Sequence, residues 1–312
     1  MQKNSGIGGQ ALIEGIMMRN KDKYALAVRK PDQEIALEVR DYKSVLNIKN
    51  VERIPILRGI SSFLDSLIIG VRCTMWSAQF FEDEEEEKKE KTEEEKAKEE
   101  KTMKAMMTGS VIFAVVFAVA VFMLLPYFLA SLLRRVGMPE TGVLVLEALI
   151  RVALFLLYMF LISRLKDIQT TFAYHGAEHK CINCIEHDLP LTVENVLKSS
   201  RQHKRCGTSF LLIVIVISVI CFLFVGILGI TSPLWKVLIR IILIPVIAGL
   251  SYELLRFAGR HDSGFVDLLA KPGLALQKLV TREPDAKMVE VAIASVEAVF
   301  DWKAWQEENF GS

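Results

Sequence analysis

Long apolar stretches separated by short polar links dominate the second two thirds of the chain. Four stretches are long enough to cross a bilayer as a helix, which takes about 20 residues. They run from about Met106 to Leu133, Gly142 to Ser163, Ser209 to Ile230 and Leu234 to Phe257. Pro126 and Pro245 fall inside two of them, and membrane helices tolerate proline where neighbours satisfy the freed carbonyls. The pattern predicts four transmembrane spans.

The first 81 residues show a different pattern. Gln10–Met18 and Lys23–Arg29 are short apolar runs separated by turn residues, and Glu34–Val39 alternates. These runs predict a small sheet of two or three strands. Ile54–Phe81 is mostly apolar with recurrent charges, which is typical of a helix in the membrane interface. The fold class expected is therefore mainly α: a four-span transmembrane helical bundle with a small N-terminal β element and cytoplasmic helices.

The composition agrees with a membrane protein. Hydrophobic residues make up 52% of the 312 residues, and the mean hydropathy is +0.32. Such values exclude a disordered chain, and five cysteines are too few for a small disulfide-stabilised secreted domain. The net charge of +1 hides an uneven distribution, because residues 82–101 hold twelve acids and six bases while the remainder has a net charge of +7.

Lysine and arginine mark one side of the membrane. They concentrate before the first span, in the link between the second and third spans, and after the fourth span. The positive-inside rule then predicts a multi-pass protein of the cell membrane with both termini and the middle loop in the cytoplasm. In that reducing compartment, cysteines of the middle loop serve metal binding or catalysis more often than disulfides.

These patterns divide the chain into seven expected segments. They are an N-terminal β-rich cytoplasmic segment (1–50), an interfacial helix (51–81), an acidic Glu/Lys linker (82–104), a transmembrane hairpin (105–163), a cytoplasmic His/Cys loop (164–207), a second transmembrane hairpin (208–257) and cytoplasmic C-terminal helices (258–312).

Residues 175–206, about a tenth of the chain, hold four of the five histidines and three of the five cysteines. On a helix, His175 and His179 lie one turn apart, so both imidazoles can reach one metal ion. Glu178 lies near the same face and is the candidate general base if the site is hydrolytic. The sequence motif H-x-x-E-H is that of the inverzincin proteases, although a membrane bundle argues against protease homology. Glu253 or His203 would complete the ligand set.

A second interpretation uses the cysteines of the same segment. Cys181-x-x-Cys184 and His203-x-x-Cys206 are 18 residues apart, a spacing typical of structural zinc sites. Three thiolates and one imidazole would close the coordination sphere. Both arrangements can also contribute to one site, and two surface histidines without a metal are the plain alternative. The ion expected from these ligands is a divalent transition metal, zinc first.

Three motifs carry a resemblance to a known family. They are residues 8–19 (GGQALIEGIMMR), 175–180 (HGAEHK) and 205–210 (RCGTSF), with further agreement at Tyr252-Glu253, Leu276-Gln277 and Glu283-Pro284. The chain resembles the YqhQ-like bacterial membrane proteins over nearly its whole length outside the acidic tract. That family is described as predicted metal-dependent enzymes of unknown function, so the resemblance implies a metal site without naming a substrate.

The function expected is a polytopic inner-membrane protein with a metal site at its cytoplasmic face. The metal ligands expected are His175, His179, His203, Glu253 and Cys206, and a metal-dependent hydrolase would use Glu178. A non-enzymatic, metal-stabilised membrane scaffold or regulator is the alternative. Expected partners are membrane lipids and an unidentified small molecule, lipid or protein, with a homo-oligomer allowed and no nucleic acid. Arg201 and Arg205 would suit an anionic substrate.

Overall fold

A computed structural model describes residues 3–44, 53–81, 93–227, 230, 232–258 and 264–311, and within them the chain is mainly helical. The strands are β1 (Gly8–Leu12), β2 (Gly15–Asn20), β3 (Lys23–Arg29) and β4 (Ile35–Asp41). The α-helices are α1 (Leu57–Ala78), α2 (Glu93–Val119), α3 (Leu125–Leu132), α4 (Glu140–Ile162), α5 (Lys166–Glu186), α6 (Val193–Lys198), α7 (Gly207–Ile227), α8 (Pro233–Ala258), α9 (Gly264–Val280), α10 (Ala286–Glu297) and α11 (Trp302–Phe310). Residues 82–92 of the acidic tract lie outside the described part.

The N-terminal strands form an antiparallel sheet in the order β1-β2-β3-β4. Within it, Gly9 lies opposite Met18, and Ile16 lies opposite Ala27. The expectation of two or three strands was too low, because a turn at Glu14 divides the apolar run Gln10–Met18 into two strands. Glu14 adopts a φ of 48°, in the left-handed region that tight turns use. Apolar patterning alone does not reveal such a turn, which here lacks glycine or asparagine at its centre.

The chain forms two compact units. The first comprises Met1–Phe81, Met159–Ile217 and Ile244–Ser312, and the second comprises Glu82–Tyr158 and Ser218–Leu243. The core of the first unit lies where the sheet packs against α5 and α10. Its fully buried side chains include Ile16, Met18, Ala177, Cys181, Ile185, Val289, Ala292 and Val296. Helix α5 is therefore held rigidly by its apolar face, and its polar residues are placed by that packing.

The four predicted apolar spans are confirmed as helices long and apolar enough to cross a membrane. They are Thr108–Leu132, Glu140–Ile162, Gly207–Gly226 and Leu234–Ala258. Pro126 follows a π-helical turn at Ala120–Leu124. Proline has no N–H to donate to the carbonyl of Phe122, and the Arg151 Nε donates to that oxygen instead, at 3.0 Å.

Charged side chains are buried inside the second unit. The Glu147 carboxylate accepts hydrogen bonds from Arg151, at 2.7 Å, and from both terminal nitrogens of Arg240, at 2.6 and 2.8 Å. Fewer than one twentieth of the surface of each of these residues is exposed. The sequence pairs Glu147 with Arg151 by their spacing, whereas Arg240 comes from a distant helix that the spacing cannot reveal.

Candidate metal centre

Three side chains of metal-ligating type meet between α5 and the residue that precedes α7. His175 and His179 lie on successive turns of α5, and their ring centroids are 4.4 Å apart. The Cys206 sulfur lies 3.1 Å from the His175 Nε2. One ligand atom from each of the three residues lies within 4.8 Å of the other two. His179 and Cys206 are buried, and His175 is partly buried, so the group lies at the bottom of a cleft.

Backbone carbonyls fix the tautomers of both imidazoles. The His175 Nδ1 lies 2.9 Å from the Val280 oxygen, and the His179 Nδ1 lies 2.7 Å from the Arg201 oxygen. A carbonyl oxygen only accepts hydrogen bonds, so each Nδ1 carries the proton. In the neutral rings, Nε2 is then the lone-pair nitrogen. This is the arrangement that metal-binding histidines in proteins usually have.

The third donor, Cys206, is surrounded by hydrogen-bonding groups. The Thr208 backbone N–H donates to the sulfur at 3.4 Å, and the Thr208 hydroxyl lies 3.1 Å from it. Hydrogen bonds to a ligand sulfur are a regular part of metal sites in proteins. Two imidazoles and a thiolate form a ligand set that zinc accepts, with one coordination position left open. The residues present therefore fit a zinc ion.

His203 lines the same cleft beside this group. Its ring centroid is 5.8 Å from that of His179, and its Nε2 lies 3.3 Å from the Glu186 Oε2. Gln277 fixes the backbone of His203 on both sides, because its amide accepts from the N–H at 2.9 Å and donates to the carbonyl at 2.8 Å. The described residues that form the compact ligand group are thus His175, His179 and Cys206, with His203 as a neighbour.

Glu186 is a buried carboxylate that the sequence analysis missed. It pairs with Arg205 and accepts hydrogen bonds from the Ser5 N–H at 2.8 Å and hydroxyl at 2.7 Å. Burial acts to raise the pKa of Glu186, but the hydrogen bond with His203 and the charge of Arg205 outweigh burial and lower the pKa to about 2. Glu186 lies seven residues after His179, and this spacing on one helix face was a signal in the sequence.

Glu178, the predicted base, points toward the N-terminal sheet. Its Oε1 accepts a hydrogen bond from the Gly9 N–H at 3.0 Å, and the side chain is buried. A side chain at position 9 would collide with the Met17 carbonyl and approach the Glu178 Cγ. The glycine therefore allows strand β1 to lie close against the carboxylate.

Glu253 lies outside the ligand group. Arg58 of α1 holds its carboxylate with two hydrogen bonds, one of them 2.6 Å long between the Arg58 Nε and the Glu253 Oε1. Arg58 therefore engages the carboxylate that was expected to complete the ligand set. Helix α1 reaches this position because Gly59 and Gly249 let the two helices approach closely.

The two cysteines of the alternative zinc site lie in different surroundings. Cys181 is fully buried in the apolar core, and burial raises the pKa of its thiol well above the ordinary value. The Cys184 thiol faces the Leu189 and Pro190 carbonyls, and burial raises its pKa to about 11. Neither belongs to the ligand group that the described residues form.

Side chains of α5 hold the loop that supplies the Arg201 carbonyl. The buried Lys180 ammonium donates to the Leu197 and Ser199 oxygens, each at 2.8 Å. The Asn183 amide donates to the Ser200 and Gln202 oxygens, at 2.7 and 3.0 Å. The helix that carries the histidines therefore also positions the loop that orients one of them.

The ligand group opens into a cavity of about 620 Å³. The cavity is bounded by β1 and β2 on one side and by α5 and the 203–207 segment on the other. Its charged and titratable lining consists of Arg19, Lys21, Tyr24, His175, Glu178, His179, His203, Arg205 and Cys206. Arg205 lines this cavity, whereas Arg201 does not. A cavity with three bases and one acid beside a metal ligand set suits an anionic ligand.

Gly176 gives a test of the close packing of the 280–282 segment against α5. An added methyl group would overlap the Arg282 carbonyl, which rests on α5 just beyond the Val280 carbonyl that His175 uses. We predict that Gly176→Ala lowers the free energy of unfolding in detergent by about 1–3 kcal/mol, the usual effect of overpacking. Gly109→Ala is the matched control, since Gly109 is also within a helix but an added methyl meets open space. Equal stability of Gly176→Ala and wild type would contradict this account.

Comparisons with known proteins agree with the family resemblance. A family model described as "Protein of unknown function (DUF1385)" matches residues 54–302. The chain is 37% identical over 304 residues to "Uncharacterized protein YqhQ" of Bacillus subtilis (strain 168), covering 97% of this chain and 94% of that protein. No solved structure matches the chain. The chain therefore belongs to the YqhQ-like, DUF1385 family of proteins of unknown function.

Proposed function

We propose that this protein is a multi-pass membrane protein with a zinc centre formed by His175, His179 and Cys206. The observation that carries the proposal is the pair of Nδ1 contacts to the Val280 and Arg201 carbonyls. A surface histidine has no need of a fixed tautomer, whereas a metal ligand does. His203 is the nearest further donor, and Glu253 is engaged by Arg58.

The membrane placement rests on the four apolar helices. Many of their large side chains, such as Phe113, Phe128, Leu149 and Ile242, are exposed, as expected for helices whose outer surface contacts lipid. The distribution of lysine and arginine supports a cytoplasmic position for both termini and for the metal centre.

The catalytic form of the proposal is a metal-dependent hydrolase acting on an anionic substrate. Zinc, when bound, supplies a Lewis acid and lowers the pKa of water. Glu178 would accept a proton as general base. The hydrogen bond from the Gly9 N–H to its Oε1 would hold the carboxylate at the cavity wall. Arg19, Lys21 and Arg205 would bind and orient a phosphate or carboxylate group in the cavity. His203 would hold a proton on Nε2, because Glu186 faces that atom as an acceptor.

Metal analysis of the purified protein tests the centre itself. We expect wild type in detergent to carry about one zinc per chain, since two imidazoles and a thiolate held close together bind zinc tightly. His175→Ala, His179→Ala and Cys206→Ser should each lose most of that zinc. His187→Ala is the matched control, because His187 lies at the end of the same helix but is exposed and outside the ligand group. Absence of zinc from wild type, or its retention in all three variants, would reject the centre.

A non-enzymatic, metal-stabilised scaffold or regulator is the second candidate. The observation that favours it is the position of His203, whose ring lies beside that of His179. A fourth protein ligand would close the coordination sphere, and closed sites with buried ligands are structural. In that case Glu178 would serve only to anchor strand β1.

Glu178→Gln separates the two candidates. The amide keeps an oxygen for the Gly9 N–H but cannot act as a base, so the variant should fold and keep its zinc. For a hydrolase, we predict that turnover of p-nitrophenyl phosphate or acetate falls by about 10²–10⁴-fold relative to wild type. Glu34→Gln, which changes an exposed carboxylate, should hydrolyse at the wild-type rate. Equal rates in wild type and Glu178→Gln, or no turnover by either, would favour the scaffold.

A further inference from the structure

A second, basic cavity of about 540 Å³ lies in the first unit, where the candidate span α4 ends. It shares no lining residue with the cavity of the metal ligand group. The residues that line it are Phe160, Ser163, Arg164, Arg201, Lys278, Leu279, Thr281, Arg282 and Glu283. Four of these carry a positive charge and one carries a negative charge.

The positive charge of this cavity is poorly compensated. Glu283 lies 3.5 Å from Arg201, but its other oxygen lies 2.9 Å from Lys180, which is outside the cavity. Within the described part of the chain, Arg164, Lys278 and Arg282 have no ion pair with a carboxylate. A concave surface with this excess of cations attracts phosphate groups.

The cavity also has an apolar side at the depth where a membrane would end. Phe160 belongs to the last turn of the span Glu140–Ile162, and Leu279 is exposed beside it. The Arg164 guanidinium lies 4.5 Å from the centre of the Phe160 ring. Basic side chains directly beyond an apolar span, next to an exposed apolar surface, match the two halves of a phospholipid.

We propose that this cavity binds the phosphate of an anionic phospholipid. Arg164 and Lys278 would contact the phosphate, because both side chains are exposed and free of carboxylate partners among the described residues. Phe160 and Leu279 would contact the adjoining acyl chain. Arg282 would contribute its remaining N–H groups, since one terminal nitrogen donates to the Ser163 carbonyl at 3.1 Å. The proposal rests on the membrane placement and is independent of the zinc centre.

Two backbone segments connect this cavity with the surroundings of the metal ligand group. The backbone of Arg201 accepts the hydrogen bond from His179, and the backbone of Arg282 rests on Gly176. The side chains of the same two residues line the lipid cavity. The two sites are therefore adjacent through these backbone segments, although they share no lining side chain.

Native mass spectrometry of the full chain in detergent, titrated with phosphatidylglycerol or phosphatidylcholine, tests the proposal. We expect wild type to bind one phosphatidylglycerol with at least roughly tenfold preference over the zwitterionic lipid, since each basic residue at a membrane surface contributes appreciably to anionic lipid binding. Arg164→Gln with Lys278→Gln should remove that preference. Lys271→Gln with Lys303→Gln is the matched control, because both lysines are exposed and lie outside the cavity. Zinc content should be equal in all of these proteins, which separates this test from that of the metal centre.

Three results would overturn the proposal. Equal lipid preference in wild type and the Arg164/Lys278 double variant would remove the cavity as the site. Equal loss in the Lys271/Lys303 control would show diffuse attraction by surface charge. Displacement of phosphatidylglycerol by an equal concentration of inorganic phosphate would identify a free phosphate, rather than a lipid, as the ligand.

Discussion

The geometry of the ligand group depends on two hydrogen bonds, from the Nδ1 atoms of His175 and His179 to backbone carbonyls. A carbonyl can hold an imidazole only if its own segment is fixed. Gly176 lets the 280–282 segment rest on α5, and Lys180 and Asn183 tie the loop that carries Arg201 to the same helix. These contacts fix the two segments that carry the carbonyls, and the carbonyls in turn fix both imidazole rings with their Nε2 atoms free to bind a metal ion.

Helix α5 holds both imidazoles in place because it contributes side chains to the apolar core as well as to the ligand group. Its apolar side chains pack against the sheet and α10, while its polar ones reach the loop and the cavity. Sites on rigid elements keep their geometry better than sites on loops. The sheet contributes in turn, because strand β1 approaches the helix closely enough for the Gly9 N–H to reach Glu178. The N-terminal glycines and the H-x-x-E-H segment are far apart in sequence but line the same cavity.

The sequence predicts what depends on local periodicity. The length of the apolar stretches was sufficient to predict the four spans. The spacing of one helical turn was sufficient to predict that His175 and His179 lie together. Contacts between residues that are distant in sequence depend on tertiary packing, which local periodicity does not predict. Cys206 lies beside the two histidines, whereas Cys181 is buried in the apolar core and Glu253 pairs with Arg58. The roles of Gln277 and Glu186 also arise only when the 203–205 segment folds back onto α5. The division of the run Gln10–Met18 into strands β1 and β2 required a turn at Glu14, whose residue type does not favour it.

X-ray absorption at the zinc edge of the loaded wild-type protein tests the ligand set most directly. The account predicts imidazole nitrogens at about 2.0–2.1 Å and a single sulfur at about 2.3 Å from the ion. The sulfur contribution should disappear in whatever zinc Cys206→Ser retains. A first shell made of several sulfurs, or of oxygens without imidazole, would contradict the assignment of His175, His179 and Cys206.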